Sequence, residues 1–144
     1  MNKDQPIRFF YNYHSFYFPQ RGKLKSFIQK LVKKERKKTN QIRIVFCEKK
    51  EMRKINRKFL SHDYDTDIIT FPFSDNKAAI EAELYINIPK IKEQAIEFGC
   101  SFKEELHRVI FHGVLHLCGY NDKTPSEISK MRSMENFYLK KYFI

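Results

Sequence analysis

Within "FHGVLHLCGYND", residues 111–122, His112 and His116 stand four apart in an otherwise apolar run, and Asp122 follows six residues after the second. On a helix, side chains at i and i+4 share a face, about 6 Å apart along the axis from the ~1.5 Å rise per residue. That spacing lets both imidazoles reach one metal ion, at roughly 2.0–2.1 Å from each nitrogen for zinc. Gly119 predicts a left-handed helix end, and the chain reversal brings the Asp122 carboxylate back to the same point. Three protein ligands leave one position for water, which marks a catalytic rather than a structural zinc. A lone His-x-x-x-His pair is usually structural. The glycine turn and the offset carboxylate are what make this stretch a metal site.

The pattern H-x-x-x-H-x-x-G-x-x-D has the ligand and glycine spacing of the metzincin motif, with aspartate in the third ligand place. A zinc peptidase needs a glutamate after the first histidine as general base. Gly113 occupies that position here. The metal site is therefore kept and the peptidase chemistry is excluded.

The elements that must position these ligands are legible in outline. Ser101 and Glu104 form a capping box for a helix that is apolar nearly all round by Val109, Ile110, Phe111, Val114, Leu115 and Leu117, so it is buried. Glu105 reads as first-turn charge on that helix. Strands are expected over 7–13, 42–48, 66–73 and 82–88, with the polar loop "SDNKAAIE" between the last two. Leu24, Phe27, Ile28, Leu31 and Val32 mark an amphipathic helix, and Met52, Ile55 and Phe59 a shorter one. Pro89 opens a helix that Gly99 ends, and Thr124-Pro125-Ser126-Glu127 opens the last. The order β-α-β-α-β-β-α-α-α predicts an α+β domain over 1–144. It has a small mixed sheet of about four strands, flanking helices, and the metal site at the end of a buried helix.

The net charge of +11 is concentrated: residues 21–58 hold 16 lysines and arginines against three acids. Such a localised excess predicts a surface for a polyanion, here nucleic acid. Lys33, Lys34, Arg36, Lys37 and Lys38 are the candidate RNA-binding residues. Phe9, Tyr11 and Tyr13 read as strand packing. Cys47, Cys100 and Cys118 lie beside apolar residues and read as reduced thiols of a cytoplasmic protein. No secretory signal or membrane-spanning run is legible. His14, His62 and His107 lack partners at ligand spacing.

"HGVLHLCGYND" resembles the signature H-G-x-L-H-L-x-G-Y-D-H of the YbeY proteins, bacterial ribosomal-RNA maturation factors described as metal-dependent endoribonucleases. "INRKFLSHDYDTDIITFPF" and "AELYINIPKIKEQA" are similar to further family segments, so the likeness covers nearly the whole chain. It implies one zinc ion per chain on His112, His116 and Asp122, with Asp122 where the family has a third histidine. It implies single-strand-specific cleavage in maturation of the 3′ end of small-subunit ribosomal RNA, a part in ribosome quality control, and a monomer whose partners are ribosomal RNA and the small ribosomal subunit. Asp67 and Glu83 align with family acids and become candidates to support the ligands from behind. Leu60 stands where the family has an arginine. Two other readings fit the same residues: an RNA-binding assembly factor with a structural metal, and a non-haem iron oxygenase using two histidines and a carboxylate.

Overall fold

The computed structural model describes residues 5–61, 65–74 and 78–144; His62 falls outside them. The element order is the expected one: β1 (Ile7–Tyr11), α1 (Arg21–Lys34), β2 (Lys38–Cys47), α2 (Lys49–Leu60), β3 (Ile68–Pro72), β4 (Ala79–Asn87), α3 (Ile88–Phe98), α4 (Phe102–Leu117) and α5 (Pro125–Tyr142). β2 and β4 begin earlier than expected. The polar-looking Lys38–Gln41 and Ala79–Glu81 pair with each other in the ladder, so tertiary pairing extends both strands past their apolar cores.

The strand order is β1-β2-β4-β3. β1, β2 and β4 run parallel, and β3 is antiparallel on the edge beside β4. Alternation along each strand separates two faces. Ile42, Ile44 and Phe46 of β2 and Ala82, Leu84 and Ile86 of β4 join the main core under α1, α3, α4 and α5. Val45, Cys47 and Ile69 face the other way and form a smaller core with Met52 of α2. The three cysteines are free, with Cys47 and Cys118 buried. Phe9 stacks on Phe46 at 5.8 Å, which gives that ring a packing role.

Helix ends follow their local chemistry. Asn87 accepts from the Lys90 amide at the start of α3, and Gly99 ends it at φ 69°. Ser101 caps α4 through the Glu104 amide, and both halves of the capping box form only at α5. α4 closes on Gly119 at φ 108°, with Gly119 N–H donating to His116 O and Tyr120 N–H to Leu115 O. Those two bonds are the Schellman arrangement. No helix among the described residues is long and apolar enough to cross a membrane.

Candidate metal centre

α4 packs against β3 and β4, and Gly113 faces Ile68 and Leu84 of those strands. A Cβ there would stand 2.6 Å from Ile68 Cδ1 and 3.3 Å from Leu84 Cδ2. A side chain in the peptidase base's position would therefore meet the Ile68 and Leu84 side chains, which would have to shift to admit it. The turns flanking it put His112 and His116 on the cleft side, and the Gly119 reversal returns Asp122 to them.

The Nε2 atoms of His112 and His116 lie 3.2 and 3.1 Å from Asp122 Oδ2. One donor atom from each of the three residues falls within 4.8 Å of the others. Two ligands about 2.0–2.1 Å from one tetrahedral ion stand roughly 3.3 Å apart, so the three donors are already spaced for it.

The partners on the far side of each ring sharpen this. His112 Nδ1 lies 2.6 Å from Glu135 Oε2, and His116 Nδ1 lies 2.8 Å from the Tyr120 carbonyl. Both partners only accept, so each neutral ring carries its proton on Nδ1 and turns an Nε2 lone pair toward the Asp122 carboxylate. Lone pairs converging on a carboxylate call for positive charge between them, either a proton on Nε2 or a metal ion. Burial alone would lower the His112 pKa. The Glu135 hydrogen bond, with the charges of Glu135, Asp122 and Asp67, outweighs it and raises the pKa above the ordinary 6.5. The centre thus demands positive charge, and the residues fit a divalent ion.

Sequence reasoning missed Glu135, which is only 4% exposed and also meets Arg108 and Arg132. The signal was present: Glu135 interrupts an apolar stripe of Met131, Tyr138, Leu139 and Tyr142 on α5. Glu35 was missed as well. It ends α1, where a carboxylate opposes the helix dipole, and it accepts from the hydroxyls of Tyr120 (2.8 Å) and Tyr138. Burial, then that bond, push the Tyr120 hydroxyl up to about 12. The five basic candidates Lys33, Lys34, Arg36, Lys37 and Lys38 surround Glu35, so the Tyr120 bond ties their segment to the metal loop.

Asp67 lies at the mouth of β3 and accepts from Gln94 Nε2 at 3.3 Å; the same nitrogen donates to Glu105 at 2.9 Å. Asp67 faces the centre without a hydrogen bond to either histidine. Glu83 falls elsewhere. It points to the opposite sheet face, paired with Arg43 at 2.7 Å and Tyr85 at 2.8 Å, because strand alternation turns it away from its neighbours Ala82 and Leu84. Glu105 sits in the first turn of α4 as expected, and it is buried there: it is 3% exposed, and burial raises its pKa. His107 is a core residue bonded to Lys103 O, with its ring 4.7 Å from Tyr142, and His14 is exposed.

A cavity of about 740 Å³ opens over the centre, bounded by Leu60, Asp67, Thr70, His112, His116 and Leu117 among others. A second of about 250 Å³ reaches it from α3 and α5 and shares Asp67, His112 and Asp122 as its wall.

Comparison with known proteins places this geometry. A family model described as Endoribonuclease YbeY matches residues 13–143. The chain is 39% identical over 134 residues to an endoribonuclease YbeY of Cytophaga hutchinsonii, covering 93% of this chain and 94% of that one. It is 51% identical over 98 residues to one of Chlorobium limicola, covering 68% and 67%. Among solved structures, the solution structure of TM1509 from Thermotoga maritima superposes with a TM-score of 0.65 at 26% identity, covering 95% of this chain and 89% of that one.

Proposed function

The chain belongs to the YbeY endoribonuclease family, and from that premise we propose that it is a metal-dependent endoribonuclease for single-stranded RNA. The observation that carries the reading is the convergence of two Nε2 lone pairs and the Asp122 carboxylate on one point in an open cleft. His112, His116 and Asp122 would hold one zinc ion per chain. When bound, such an ion activates water and neutralises charge developing on phosphoryl oxygens. Glu135 and the Tyr120 carbonyl hold the two rings in the ligating tautomer. Asp67 stands beside the centre, placed to take a proton or to order water. Lys33, Lys34, Arg36, Lys37 and Lys38 would hold RNA by its phosphates. The finer assignment is maturation of the 3′ end of small-subunit ribosomal RNA and ribosome quality control, by a cytoplasmic monomer of one domain acting on the small ribosomal subunit. The family likeness and the basic segment support it.

A second reading has a specific observation in its favour. The described residues lining the larger cavity include no lysine or arginine, and Leu60 is among them. A cleft without a cation for the scissile phosphate suits an RNA-binding assembly factor whose metal is structural.

One experiment separates the two: time-resolved cleavage of single-stranded RNA by nuclease-free protein, with and without chelator. In the catalytic reading His112→Ala stays folded and binds RNA but cleaves at least about a hundredfold more slowly, a loss of several kcal/mol. Leu60→Arg then raises the rate. Equal residual rates for the parent and His112→Ala would give the protein to the structural-metal reading.

A further inference from the structure

β3 is an edge strand, and its free edge floors the larger cavity. Asn87 N–H donates to Asp67 O at 2.9 Å and Phe73 N–H to Glu81 O at 2.7 Å. Between them the register pairs Ile69 with Tyr85 and Phe71 with Glu83. Antiparallel alternation therefore turns the peptide groups of 67, 69, 71 and 73 toward β4, and those of Ile68, Thr70 and Pro72 outward. The Ile68 carbonyl receives the Thr66 hydroxyl at 3.4 Å, a weak contact, and Pro72 has no N–H to give. Thr70 is left with both an N–H and a C=O directed into the cleft and no partner among the described residues.

We infer that the Thr70 peptide group is a base-binding point for the RNA held at the metal centre. This rests on the endoribonuclease reading above. A donor and an acceptor side by side match the edge of a nucleobase, each of which carries an adjacent donor and acceptor. A base bonded to a strand edge lies in the plane of the sheet, so its two faces look to either side of it. α2 packs on one face of the sheet and α4 on the other, and Leu60 and Leu117 of these helices both line the cavity. Apolar walls suit base faces, so Leu60 takes a role as a wall where a cation would not serve. An added protein strand fits this edge poorly, because Pro72 ends the outward donors after Thr70.

The test uses Thr70→Pro, which removes the outward N–H and leaves the β3–β4 ladder intact, with Thr70→Val as the variant that keeps the N–H. In metal-free protein, which cannot cleave, an RNA hexamer should shift the Thr70 amide resonance. Its affinity should fall about fivefold in Thr70→Pro and stay unchanged in Thr70→Val, the size of one net hydrogen bond. In the zinc-loaded protein, the preference for a normal over an abasic nucleotide at the cleaved position should shrink in Thr70→Pro alone. A Thr70 amide that stays silent in the parent protein at saturating hexamer overturns the inference, and this readout stands even if Thr70→Pro fails to fold. Absence of metal-dependent cleavage in a parent whose Thr70 amide still shifts would sink the endoribonuclease reading and leave the base-binding point standing.

Discussion

Replacing Glu135 by glutamine tests whether the residues behind the ligands set the strength of the metal centre. The Glu135 carboxylate accepts from His112 Nδ1 at 2.6 Å and is 4% exposed, so water does little to damp that charge. Loss of such an outer partner costs ten- to a hundredfold in metal affinity, or about 1.4–2.7 kcal/mol. Glutamine keeps an acceptor for the Nδ1 proton and removes only the charge, which places Glu135→Gln near tenfold. Glu135→Ala belongs near a hundredfold. It also strips the partly buried Arg108 of a partner at 3.3 Å, so its melting temperature should drop as well. The assay is competition for zinc against a chromogenic chelator near neutral pH, with circular dichroism to confirm the fold. Glu135→Gln protein that binds zinc within twofold of the parent would refute the argument that this buried charge tunes His112.

Two further outcomes follow from the same geometry. Burial lowers the His107 pKa to about 4, against about 6.5 in the unfolded chain. Its contribution is therefore full above about 6.5 and is lost as pH falls toward 4, by about 3 kcal/mol. Urea denaturation over that range should show the loss in the parent and not in His107→Leu. Neutralising Lys33, Lys34, Lys37 and Lys38 together should flatten the dependence of log RNA affinity on log salt by up to about 3, at ~0.7 per single-strand phosphate contact. An unchanged slope would move the RNA path away from the end of α1.

The candidate ligand group was legible because the spacing of His112 and His116 along one helix carries the geometry, and Gly119 announces the reversal that Asp122 needs. The order of elements was legible because strand and helix periods differ, and Pro89, Gly99, Ser101 and Thr124 sit at helix ends for local reasons. What sequence periodicity cannot carry is contact between distant segments. Glu135 reaches His112 across 23 residues and Glu35 reaches Tyr120 across 85. Each betrayed itself only as a carboxylate in a locally unfavourable place. Glu83 failed for a converse reason: family alignment gives a position in the chain, whereas strand alternation decides which side of the sheet the carboxylate meets. The freedom of the Thr70 peptide group was also out of reach, since it depends on which strand lies at the edge.

The contact at Gly113 closes a route between two enzyme classes. The ligand helix here and that of a zinc peptidase differ at the residue after the first histidine, and a single substitution looks sufficient to exchange one hydrolytic repertoire for the other. It is not. The space a side chain at 113 would enter is held by Ile68 Cδ1 and Leu84 Cδ2, so Gly113→Glu requires both of those side chains to turn aside before a base could stand there. A protease reprogrammed on this scaffold would start best from smaller residues at 68 and 84, because the barrier to that exchange lies in core packing and not in the ligand positions.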